Sequence, residues 1–218
     1  METRLLAILL TDISGYTEFS SHADRSGVVA AVRQQQAIIL PVIEKFHGRL
    51  VKWIGDAALA VFPSATDAVL CGRQIQQTFI EEGERGKASI NPWVKVVVHA
   101  GDVNLDADGD IYGDPVNFTA RMEKASSPDE VYFSETVRRL ISRAEIPYEP
   151  AGEYEFKGIE GRSAVYRTCF GQTPVGAEAS VPQERSRLPS MSNSNTAGAA
   201  VFSAGVLPGR SNTQIWSS

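Results

Sequence analysis

The feature that most constrains the fold is an apolar run near the N-terminus, Leu5-Leu6-Ala7-Ile8-Leu9-Leu10, closed at once by Thr11-Asp12-Ile13-Ser14-Gly15. A run that short, stopped by turn-forming residues, reads as a fully buried strand. It is far below the ~18 apolar residues a membrane span needs, and no other run comes closer. Glu2 spoils a basic leader and Thr11-Asp12 follows the run directly, so a signal peptide is not expected either. The expectation is a cytoplasmic chain whose first strand starts almost at once, with no transmembrane anchor and no N-terminal input domain. A length of 218 residues allows one sizeable core or two small ones.

Beyond that strand the pattern alternates between helix and strand. Residues 26–47 read as a helix with Val29, Val32, Ile39, Val42, Ile43 and Phe46 on its apolar face, bent or divided at Pro41 and stopped by Gly48. Residues 49–54 and 57–62 read as a hairpin turning at Gly55-Asp56. A second amphipathic helix is expected over 65–82, with Ala68, Val69, Ile75 and Phe79 inward, then a strand over 93–103. Residues 115–125 make a short helix opened by Pro115, with Val116, Ala120 and Phe118 toward the core. A strand at 130–133, a helix at 134–143 capped by Ser134, and strands over 148–166 complete the set. The order βαββαβ with additions implies an α+β domain, a ferredoxin-like mixed sheet with helices on one face.

Composition matters most for the C-terminal segment. From Gly171 to Ser218, 8 of 48 residues are Leu, Ile, Val or Phe, below the ~20% at which a segment offsets its ordering entropy. The expectation is a folded domain over 1–170 and a Ser/Gly/Pro/Ala-rich, disordered tail over 171–218. Twenty-six acidic against 21 basic residues, with no Lys/Arg cluster, argue against nucleic acid as a partner. Cys71 and Cys169 have no metal-ligand spacing and read as buried thiols.

Two carboxylates, Asp12 and Asp56, each follow a strongly apolar strand at a turn. If those strands are neighbours, the carboxylates converge at one sheet edge, an arrangement suited to Mg²⁺ or Mn²⁺ with substrate phosphate. Asp is also an ordinary turn residue, so either residue alone reads equally as a turn-former. Further on, Asn117 and Arg121 stand four apart on one helix face. A planar Arg beside a neutral amide can clamp a phosphate, or Arg121 can pair with Glu123 or Asp114 at the surface.

Three motifs in order, Leu10-Thr11-Asp12-Ile13-Ser14-Gly15-Tyr16-Thr17, Lys52-Trp53-Ile54-Gly55-Asp56-Ala57 and Asp110-Ile111-Tyr112-Gly113 with Asn117 and Arg121, resemble the class III nucleotidyl cyclase catalytic domain. The resemblance covers residues 3–170. It implies that Asp12 and Asp56, with the Ile13 carbonyl, hold two divalent ions, Mg²⁺ or Mn²⁺. It implies that Lys52 and Asp110 read the base, that Asn117 orients the ribose, that Arg121 stabilises charge near the α-phosphate, and that Lys157 binds the terminal phosphates. Lys-Asp is similar to the adenine-reading pair, since Lys donates to N1 and Asp accepts from the exocyclic amine. The implied function is an adenylate cyclase converting ATP to 3′,5′-cyclic AMP and pyrophosphate. Lys52 and Asp56 are too close together to serve opposite ends of one nucleotide, so the family's head-to-tail dimer is implied, here a homodimer with composite sites. Thr119 and the bulky Trp53 depart from the usual pattern and leave a rival within the class, a cyclase making cyclic CMP or cyclic UMP in phage defence. The rival from another class is a catalytically silent nucleotide-binding module.

Overall fold

The computed structural model describes residues 2–14, 20–85, 94–128, 130–142 and 144–169. They all fall in the first of two units, Met1–Glu178 and Ala179–Ser218. The expected domain boundary at 170 and the 171–218 tail lie outside the described residues.

Among those residues the chain runs β1 (Glu2–Ile13), α1 (Arg25–Lys45), β2 (Arg49–Ile54), β3 (Ala57–Phe62), α2 (Ala65–Glu84), β4 (Val94–Leu105), β5 (Ile111–Tyr112), α3 (Asp114–Ala125), β6 (Val131–Ser134), α4 (Glu135–Leu140), β7 (Tyr148–Glu155) and β8 (Arg162–Thr168). The strands form one sheet in the order β2-β3-β1-β4-β6-β8-β7, with β5 paired to β4. Only β4–β6 is parallel; the other pairs are antiparallel, as the expected mixed α+β sheet requires.

One expectation needs correction: the helices cover both faces. Alternate residues of β1 divide between two apolar clusters, Ala7, Leu9 and Ile13 under α1, α2 and α4, and Ile8 and Leu10 under α3. Continuous apolar sequence in β1 and β4 is the cause, because a strand apolar at successive positions has two faces to bury. Helix α3 contributes Met122, Val116 and Phe118 to its cluster. Thr119 rather than Ala120 is buried, its hydroxyl donating to the Pro115 carbonyl at 2.8 Å. That internal bond is why a hydroxyl is tolerated there.

Helix α1 also differs in detail. It runs through Pro41 undivided, and its buried face is Ala31, Gln35, Ile39, Val42 and Ile43, while Val29 is exposed. It is long and apolar enough on average to meet a membrane-span criterion, yet this face packs into the first cluster. Its end is a Schellman arrangement in which His47 takes the left-handed φ of 60° and the Gly48 N–H donates to the Ile43 carbonyl at 2.9 Å. Gly48 is required for space instead: a Cβ there would stand 2.3 Å from the Phe62 ring. Ser64 and Ser134 cap α2 and α4. Cys71 is buried as expected, whereas Cys169 is only half-buried.

Candidate active site

Register explains why two distant aspartates meet. β1 pairs antiparallel with β3, Thr11 opposite Ala58, so Asp12 at the end of β1 and Asp56 in the β2–β3 turn share one end of adjacent strands. Gly55 takes φ 64° to make that turn tight. The turn is tied to α1 by Gln35, whose buried amide donates to the Asp56 carbonyl. Ile13, next to Asp12 at the end of β1, buries its side chain in the first apolar cluster.

The electrostatics of this corner are unusual. Burial, then Glu123 and Asp56, push the Asp12 carboxyl up to about 6. Burial also raises Asp56, opposed by backbone N–H groups including that of Ile13. Crowded, half-desolvated carboxylates favour the approach of a cation, and their oxygens suit a hard divalent ion. Among the described residues no three His, Cys, Asp or Glu side chains converge to hold an ion by themselves. Asp12 and Asp56 would therefore need backbone and substrate oxygens to complete a coordination shell, which fits an ion that bridges to phosphate.

The same sheet face carries Lys52, opposite Leu59 in the β2–β3 ladder. Its Nζ donates to Asp110 Oδ2 at 2.5 Å. The Asp106–Asp110 loop is held by its own Asp106 side chain, which accepts from the N–H groups of Asp108 and Asp110 at 3.0 and 2.9 Å. The Lys52 hydrogen bond holds the Asp110 carboxyl below the usual range. Tyr112 is exposed beside this pair, its ring 5.8 Å from Lys52 Nζ, and its hydroxyl is raised to about 12 by hydrogen bonding with Asp106 and Asp110.

Asn117 and Arg121 line a separate cavity of about 390 Å³ with His99, Phe118 and the 158–160 turn, which includes neither Asp12 nor Asp56. Gly158, at φ 73°, brings the β7–β8 turn against the Arg121 guanidinium: a Cβ there would lie 3.5 Å from it. Glu123, one of the two surface partners open to Arg121, pairs with Lys95 at 3.1 Å instead, and the other, Asp114, lines the same cavity as Arg121. Lys157 is exposed and lines a neighbouring depression with Phe156 and Arg162 rather than the Arg121 cavity. Under the cavity His99 stacks on Phe118, ring centroids 4.3 Å apart, and its Nδ1 lies 2.8 Å from the Ser134 hydroxyl.

Several of these groups escaped the sequence reading. Gln35, Lys95 and His99 belong to no short motif, and Glu123 entered the reading only as a surface partner for Arg121. Lys95 and Glu123 lie 28 residues apart and meet only because α3 crosses the sheet.

The sheet order and the placement of these groups define a nucleotidyl cyclase catalytic domain. The family model for the adenylate and guanylate cyclase catalytic domain matches residues 2–168, and the chain belongs to that family. A stretch of 162 residues, 74% of the chain, is 32% identical to the serine/threonine-protein kinase pkn2 of Myxococcus xanthus and covers 19% of it. Another of 158 residues, 72% of the chain, is 30% identical to the putative adenylate cyclase 3 of Rhizobium meliloti and covers 27% of it. The chain thus spans less than a third of these relatives. Among solved structures, the adenylyl cyclase CyaB from P. aeruginosa superposes over 81% of this chain and 100% of its own, with TM-score 0.70 and 23% identity, a likeness of fold. The adenylate/guanylate cyclase/hydrolase from Silicibacter pomeroyi does so over 77% and 98%, with TM-score 0.66 and 29% identity. Catalytic domains of this class are lyases that bind nucleotides, use divalent metals and work as dimers.

Proposed function

We propose that this chain is an adenylate cyclase acting as a cytoplasmic homodimer, converting ATP to 3′,5′-cyclic AMP and pyrophosphate. The observation that carries the substrate choice is the Lys52–Asp110 contact at 2.5 Å. It sets an ammonium donor beside a carboxylate acceptor at the spacing of one base edge. Adenine offers the complement, an acceptor at N1 next to a donor at the exocyclic amine; guanine offers the reverse order.

In this reading Asp12 and Asp56, with the Ile13 carbonyl, are the ligands of two divalent ions, Mg²⁺ or Mn²⁺. Bound there, the ions would lower the pKa of the ribose 3′-hydroxyl and offset charge on the phosphates. The remaining work belongs to the chain. Asn117 orients the ribose so that its 3′-oxygen lies in line with the α-phosphorus, and Arg121 stabilises the charge that builds on the α-phosphate oxygens. Lys157 reaches the terminal phosphates from the β7–β8 turn. Asn117 and Arg121 open into a cavity apart from Asp12 and Asp56, which supports composite sites built from two chains.

The test is a product assay. Purified protein with Mn²⁺ is given ATP, GTP, CTP and UTP separately, and the cyclic products are resolved by chromatography. Cyclic AMP as the main product is expected. A cyclic pyrimidine nucleotide or cyclic GMP as the main product would overturn the substrate choice, and no product from any nucleotide would leave a silent binding module.

A further inference from the structure

Two residues beyond Arg121, helix α3 carries a carboxylate that no motif singles out. The Glu123 side chain is 14% exposed, and its Oε1 accepts from Lys95 Nζ at 3.1 Å. Lys95, 24% exposed, stands directly opposite Asp12 in the β1–β4 ladder. After burial, the charge of Glu123 adds to the rise of both the Asp12 and the Asp56 carboxyl. The Lys95–Glu123 pair therefore borders the Asp12–Asp56 corner, through the ladder position of Lys95 beside Asp12.

An ion pair that merely staples α3 to the sheet would make Lys95 and Glu123 equivalent, since losing either breaks the same bond. Electrostatics makes them opposites. Glu123 adds to the negative potential that draws a divalent ion to the corner, while Lys95 subtracts from it and supplies the resident positive charge.

We propose that Lys95 and Glu123 set the affinity of the Asp12–Asp56 corner for a divalent ion in opposite directions, Glu123 strengthening it without ligating and Lys95 competing with it. The inference rests on the reading of Asp12 and Asp56 as metal ligands. A charge removed at this range, in a partly solvated corner screened by salt, changes affinity for a divalent ion by about tenfold.

The experiment uses the full chain without nucleotide and titrates Mn²⁺ alone into the millimolar range, following free Mn²⁺ by electron paramagnetic resonance. Wild type should bind Mn²⁺, and Asp12→Asn should remove that binding. Glu123→Gln should weaken binding about tenfold, Lys95→Met should tighten it about tenfold, and the double variant should fall between them. Thermal melts without metal check that each variant folds, with Lys95→Gln replacing Lys95→Met if the latter does not. Shifts in the same direction, or no shift, overturn this inference while the metal reading stands. If wild type shows no Mn²⁺ binding that Asp12→Asn removes, the metal-ligand reading fails and this inference fails with it.

Discussion

Lys52 Nζ and Asp110 Oδ2 meet at 2.5 Å although 58 residues separate them, closing the loop between β4 and β5 onto the edge strand β2. Neither residue is buried, so their contact is open to a ligand that can take its place. Exchanging the pair for Lys52→Glu with Asp110→Cys should cut kcat/KM for ATP about 10- to 100-fold relative to GTP, the worth of one or two charge-assisted hydrogen bonds. Steady-state kinetics with both nucleotides measure it. An unchanged ratio would mean that other groups read the base.

Arg121 lines its cavity without a carboxylate partner among the described residues, leaving the guanidinium available to a phosphate. Arg121→Ala should lower kcat by about 10²–10³ while KM changes little, because charge on the α-phosphate is largest in the transition state. A proportional rise in KM at constant kcat would instead assign Arg121 to ground-state binding.

Burial pushes the His99 imidazole down to about 4. In the unfolded chain it titrates near 6.5, so below that pH the unfolded state binds a proton that the folded state resists. The stabilisation is full above about pH 6.5 and is lost progressively as pH falls toward 4, by at most about 3 kcal/mol. Urea denaturation at pH 7.5, 6 and 5 should show this slope, and His99→Gln should flatten it. A His99→Gln protein with the wild-type slope would place the pH dependence elsewhere.

Gly48 touches the Phe62 ring so closely that even a methyl group must displace it. Gly48→Ala should destabilise the domain by about 1–3 kcal/mol through overpacking. Thermal or chemical denaturation checks this, and a neutral or stabilising result would show that Phe62 moves freely.

Much of the candidate site's placement was legible because its residues sit at strand ends and turns, where local sequence determines geometry. Asp12 follows an apolar run, Asp56 follows Gly55 in a two-residue turn, and Asn117 and Arg121 share a helical period. What escaped the reading depends on how layers stack. Helix α3 fully buries only Thr119 and Met122 and packs Val116 and Phe118 partly, a pattern that does not show which sheet face it covers. The Lys95–Glu123 pair and the burial of Gln35 against Asp56 follow from that stacking. Gly48 illustrates a different limit: a glycine after a helix reads as a stop signal, yet His47 takes the left-handed turn and Gly48 makes room for a ring.

In the proposed function each ATP site is assembled from two chains, with Asp12 and Asp56 from one and Asn117 and Arg121 from its partner. The most direct measurement mixes an inactive Asp56→Ala chain with an inactive Arg121→Ala chain and assays cyclic AMP formation. Half the dimers in an equal mixture would be mixed, each with one intact site of two, so activity should recover to about one quarter of wild type. No activity above that of either variant alone would contradict the composite site.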